Sequence, residues 1–110
     1  MPENRPEAIL EATEELVSAV IERNALTPGD MVSCIFTSTD DLDAEFPAVA
    51  ARRLGLDSVP LLCARELAVP GSMPRVICLM LHCYAPGESP PAHVYLREAA
   101  DLRRDLEGAQ

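Results

Sequence analysis

The 110-residue chain carries a formal net charge of -9, from 18 acidic residues against nine arginines, and contains no lysine. A field of that sign repels phosphate backbones and anionic membranes, which argues against nucleic acid or a membrane surface as partner, and without lysine there is no Schiff-base chemistry. With 48% hydrophobic and 25% charged residues, the composition suits one soluble globular domain over 1–110 with a modest core of its own.

No apolar run approaches the roughly 20 residues of a membrane span. The opening MPENRPEAIL has neither a basic leader nor an apolar signal core. Cys34, Cys63, Cys78 and Cys83 lie in apolar surroundings without C-x-x-C spacing and read as reduced thiols, so the cytoplasm is the expected location.

In chain order, Asn4 is placed to cap a helix whose third residue is Glu7. Ile9, Leu10, Leu16, Val17, Val20 and Ile21 then recur with helical period as far as Asn24. Thr27-Pro28-Gly29-Asp30 is turn chemistry, and the β-branched MVSCIFTST after it suits a buried strand. A loop, DLDAEFP, leads to Pro47, which opens a short helix AVAARRL ending at Gly55. SVPLLC reads as a second strand, VPGSMP as a loop, and RVICLMLHCY as a long third strand. HVYL reads as a further strand after the proline-rich APGESPPA, and REAADLRRDL is either its continuation or a terminal helix.

Alternation puts Val76, Cys78, Met80 and His82 on one face of the third strand and Ile77, Leu79, Leu81 and Cys83 on the other. Both faces are apolar and need cover, yet one long helix covers only one. The pattern predicts an α/β or α+β layer that associates with further copies of itself, with ligand clefts at the interfaces.

The residues suggest several chemistries, each with a plainer alternative. Zinc held by Cys78, His82 and Cys83 fails because residues 82 and 83 of a strand point oppositely. Cys63, Cys78 and His82 could pair nucleophile with base, but thiols in apolar runs usually behave as small hydrophobes. His93 is more simply a structural hydrogen-bonding residue than a ligand. Arg65 and Glu66 follow a strand end, where binding residues collect, although a solvated ion pair is the simpler account. Tyr95 could serve as an interface aromatic or as an anion-binding phenol.

FPAVAARRLG, VPLLCARELAVPGSMPRVICLMLH and HVYLREAADLRRDL, taken in order with TPGDMVSCIFTSTDDLDAEFP, resemble the AroH class of chorismate mutases over almost the whole chain. The resemblance implies a homotrimer of pseudo-α/β barrel form, each chain contributing a five-stranded mixed sheet, with active sites between subunits. It implies rearrangement of chorismate to prephenate, a pericyclic step needing neither metal nor cofactor, on a small carboxylate substrate. By that likeness Glu66 matches the carboxylate that binds the ring hydroxyl, Cys63 its neighbouring thiol, and Tyr95 the phenol at a substrate carboxylate. Arg52 matches an arginine from the adjacent subunit, and Phe46, Ala48 and Leu102 an apolar wall.

The chain also departs from that pattern. Cys78 stands where the family has an arginine beside the breaking ether bond. The family's opening strand, with a second substrate-binding arginine, is expected to be absent, since this chain starts at the following helix. The loop lysine near the cleft is here Val49, and the Arg-Pro-Asp of the tail is Arg103-Arg104-Asp105. Losing one preorganised donor costs about two to three orders of magnitude in rate. Arg65, Arg97 or Arg103 could substitute only if the backbone bends, so the cleft around Cys78, Met80 and Cys63 is expected to be more apolar than the family's. The expectation is a weakened chorismate mutase; the alternatives are another pericyclic or cyclisation reaction in specialised metabolism, or a non-catalytic trimer that binds a small carboxylate.

Overall fold

The computed structural model describes residues 2–84 and 90–97. Helix α1 spans Pro6–Arg23, strand β1 Met31–Ser38, helix α2 Pro47–Arg53, strand β2 Leu61–Arg65 and strand β3 Ile77–Cys83. A single 3-10 turn, Pro28–Asp30, leads into β1.

Both helices begin with proline, whose missing N–H would have no intrahelical partner there in any case. α1 buries Ile9, Leu10, Thr13 and Val17, a stripe at helical spacing. The Thr13 hydroxyl donates to the Ile9 carbonyl at 2.7 Å, so the buried polar group in that stripe is satisfied. Asn4 does not cap the helix. Arg5 occupies that position, and Asn4 Oδ1 accepts from the backbone N–H groups of Asp43 and Ala44 at 2.9 and 3.0 Å. The capping residue read in the sequence therefore ties the β1–α2 loop to the start of α1.

The sheet order is β2-β1-β3, with β1 parallel to β2 and antiparallel to β3. The parallel pair needs a crossover, which α2 supplies. Ala50 and Ala51 of α2 are fully buried, and residues this small let the helix approach closely. Val17, Cys34, Phe36, Ala48, Ala51, Leu56 and Val59 form one cluster, joined by half-buried Leu61, Cys63, Leu79 and Leu81. Phe36 lies at its centre with no exposure; truncating such a side chain to alanine costs about 3–5 kcal/mol.

The strands differ from expectation at their ends. The β2 ladder starts at Leu61 because Pro60 has no N–H and contributes only its carbonyl, to the N–H of Cys34 at 3.0 Å. It runs on past Cys63 because its partner β1 extends to Ser38. β3 begins after Arg75, which is a corner rather than a strand residue. Its φ is 53°, and its N–H donates to both oxygens of Asp41 at 3.1 Å.

HVYL is not a strand. The backbone N–H and C=O of Ala92 are taken by the Asn24 side chain at 2.7 and 3.0 Å, and Arg97 reaches Glu15 at 2.9 Å. Residues 90–97 thus follow α1, and among the described residues the sheet has three strands rather than five. Residues 98–106 of the ambiguous terminal segment lie outside the described residues.

Because the helices lie on the Cys34–Phe36 side, the opposite sheet face is uncovered by any described element. Across it run the rows Leu62–Ile35–Met80 and Ala64–Thr37–Cys78, read from the two ladders. Leu62 is 58% exposed and Met80 60%. The uncovered apolar face expected from the third strand is present.

Candidate active site

Parallel β1 and β2 end together at Ser38 and Arg65, and open α/β layers bind ligands beyond such carboxyl ends. Two clefts meet there. One, of about 320 Å³, is lined by Glu66 with Thr39, Asp41, Val69 and Met73 among others. The second, of about 360 Å³, is lined by Phe46, Pro47, Cys63 and Arg65, and the two share Thr39 and Asp40.

Glu66 is placed by backbone pairing. Its N–H donates to the Ser38 carbonyl at 2.9 Å, prolonging the β1–β2 ladder by one bond. The side chain lies on the open face, where Thr37 Oγ1 donates to Glu66 Oε2 at 2.5 Å. A hydrogen bond to an ionised acceptor is of the stronger kind and fixes the carboxylate's orientation. Thr37 is paired on its other side with Cys78, so Glu66, Thr37 and Cys78 form a line across the open face. Cys78 lies across the ladder from Thr37, between Val76 and Met80 along the chain.

Cys63 does not join this line. It pairs with Phe36, packs against the core, and faces the helices. Two side chains three apart on a strand point oppositely, so Cys63 and Glu66 line different clefts. Within one chain Cys63 is therefore not grouped with Cys78 and Met80 as expected, and it is separated from His82, which shares their face, so Cys63 and His82 do not form a nucleophile and base. His82 faces Ser33, at 3.4 Å from its hydroxyl, while Cys83 pairs with Met31.

The helical layer holds the remaining positions. Phe46, at the start of α2, is 68% exposed, and Arg52 in its last turn is exposed with no ion pair to a described residue. Ala48 is buried in the core. Tyr95 is half-buried in the segment that follows α1. Leu102 and Arg103 lie outside the described residues. Of the arginines considered as substitutes, Arg65 pairs with Asp40 at 3.4 Å and Arg97 with Glu15, so neither guanidinium is aimed at Cys78.

All four cysteines are thiols. Burial, then proximity to Cys83, holds the Cys34 thiol above its ordinary range, which keeps it neutral and unreactive. No group of three or more potential ligands among His, Cys, Asp and Glu comes together among the described residues. No helix among them is long and apolar enough to cross a membrane. Thr37 was not singled out from sequence. Its place on the open face follows from alternation with Phe36, but its meeting with Glu66 depends on the parallel register.

Fold and site define a small α+β protein with a carboxylate held at the end of a half-covered sheet. The profile of the family described as chorismate mutase type I matches residues 1–106. A chorismate mutase AroH from Thermus thermophilus is 50% identical over 110 residues, covering 98% of this chain and 90% of that protein. The corresponding protein of Bacillus subtilis (strain 168) is 37% identical over 102 residues, covering 91% and 80%. The solved chorismate mutase of Clostridium thermocellum superposes with a TM-score of 0.87 at 40% identity, covering 90% of this chain and 89% of that one. The chain belongs to the type I chorismate mutase family. It is an enzyme of that type, an isomerase.

Proposed function

We propose that this isomerase rearranges chorismate to prephenate at a site built between two copies of the chain, and that the copies assemble as a trimer in the cytoplasm. One copy supplies Glu66, Thr37 and Cys78 from its open sheet face. Its neighbour supplies Arg52 and the apolar side chain of Phe46. The observation that carries this reading is the division of charge in the fold. Glu66 lies on the face opposite the helices, whereas Arg52 belongs to the helical layer, so the two cannot meet within one chain.

The reaction needs the enol-pyruvyl arm held folded over the ring and charge stabilisation where the ether bond breaks. Glu66 binds the ring hydroxyl and orients the ring. Arg52 and Tyr95 hold substrate carboxylates. Cys78 places a weakly polar thiol where a cation would stabilise the ether oxygen most strongly, so turnover is slow and rests chiefly on positioning.

The test is loss of chorismate absorbance with pure protein, alongside Glu66→Ala and Arg52→Ala. Each variant alone is expected to be inactive. Co-refolding the two restores a fraction of activity, because mixed assemblies contain sites built from two unmodified faces. Full turnover by Glu66→Ala removes the site assignment, and no recovery on co-refolding removes the shared site. Wild-type protein that is inactive while Cys78→Arg turns over chorismate points instead to a repurposed cleft for a less anionic substrate.

A further inference from the structure

We infer that Thr37 is a positioning residue for the carboxylate of Glu66 and sets which of its two oxygens meets the substrate. The inference rests on the reading of Glu66 as the hydroxyl-binding group.

Glu66 lies beyond the last residue of β2, and a side chain at a strand end has rotameric freedom that a carboxylate used for orientation must lose. Thr37 is its side-chain hydrogen-bond partner, Oγ1 to Oε2 at 2.5 Å. With Oε2 engaged, Oε1 is the oxygen presented to a ligand hydroxyl. Thr37 is well suited to the task. It sits on the central strand, paired on one side with Ala64 and on the other with Cys78, so its backbone is fixed from both directions. Being β-branched, it also has few χ1 choices, which aims the hydroxyl without a further partner. Ala64 beside it is too small to obstruct the line from Thr37 to Glu66.

The assignment separates Thr37 from a residue that merely fills the sheet. Valine has nearly the same shape and suits a strand equally well, so Thr37→Val removes the donor while preserving the packing. The expected result is a fall in kcat/KM for chorismate of about ten- to thirtyfold, with the thermal midpoint little changed. Thr37→Ser keeps the hydroxyl and recovers most of that loss. In the Glu66→Gln background, Thr37→Val adds little, because the residue acts through the carboxylate.

Thr37→Val with wild-type kcat/KM overturns the inference, as does an equal further loss in the Glu66→Gln background. If Thr37→Val fails to fold, Thr37→Ala carries the same comparison against Thr37→Ser. Wild-type turnover by Glu66→Gln is a different outcome: it removes the role of Glu66 itself, and with it the reading on which the inference rests.

Discussion

Among single residues, the proposed site turns on one exchange of chemistry. In the line Glu66–Thr37–Cys78, the carboxylate is anchored at 2.5 Å while the third position offers a thiol in place of a guanidinium. Restoring a cation there by Cys78→Arg should raise kcat on chorismate by roughly a hundredfold, the usual worth of one preorganised donor. A steady-state assay checks it, and an unchanged rate would mean that Cys78 does not face the reacting bond. Cys34 gives a second residue-scale prediction. Burial raises its thiol above the unfolded value, so its stabilising contribution is complete below the ordinary cysteine range and is lost as pH rises through the higher folded value. Thermal midpoints measured from pH 7 to 10 should fall more steeply for wild type than for Cys34→Ala at the alkaline end.

At the element scale, the open face depends on where the helices stop. α2 ends at Arg53 and reverses through Gly55, whose φ of 92° is a conformation that side chains with a Cβ avoid. An added methyl group would meet nothing within 4 Å, so the expected cost of Gly55→Ala is that of the backbone alone, roughly 1–2 kcal/mol, read from denaturant unfolding. A much larger loss would mean that the turn is also packed from outside. The same element explains why Phe46 and Arg52 stand outward: alanines take the inner positions of α2, leaving the bulky and charged residues on the surface.

For the whole molecule, the half-covered sheet is the dominant fact. Leu62 and Met80 lie in one row of the open face at 58% and 60% exposure, and burying such side chains is worth about 1.5–3 kcal/mol each. Met80→Asp places a charge in that row without touching the core. In the proposed assembly it should shift sedimentation from trimer toward monomer and reduce turnover in parallel, while the far-UV circular dichroism of the subunit persists. An assembly unaffected by Met80→Asp would place the contact elsewhere.

Local sequence was enough for α1 with its termination at Asn24, β1, α2 opening at Pro47 and closing before Gly55, the two faces of β3, and the lack of a cation at position 78. These follow from local periodicity, proline and glycine placement, and the identity of single residues, all of which act over a few positions. Residues that meet across long separations depended on the tertiary structure. Only the parallel register of β1 with β2 brings Thr37 to Glu66 and turns Cys63 toward the helices. Only the packed fold gives Asn4 to the Asp43–Ala44 backbone and Ala92 to Asn24, which converts a capping residue into a tether and an expected strand into a segment following α1. A backbone group accepts whichever partner the completed fold brings within reach, and that choice is not encoded in the neighbouring residues.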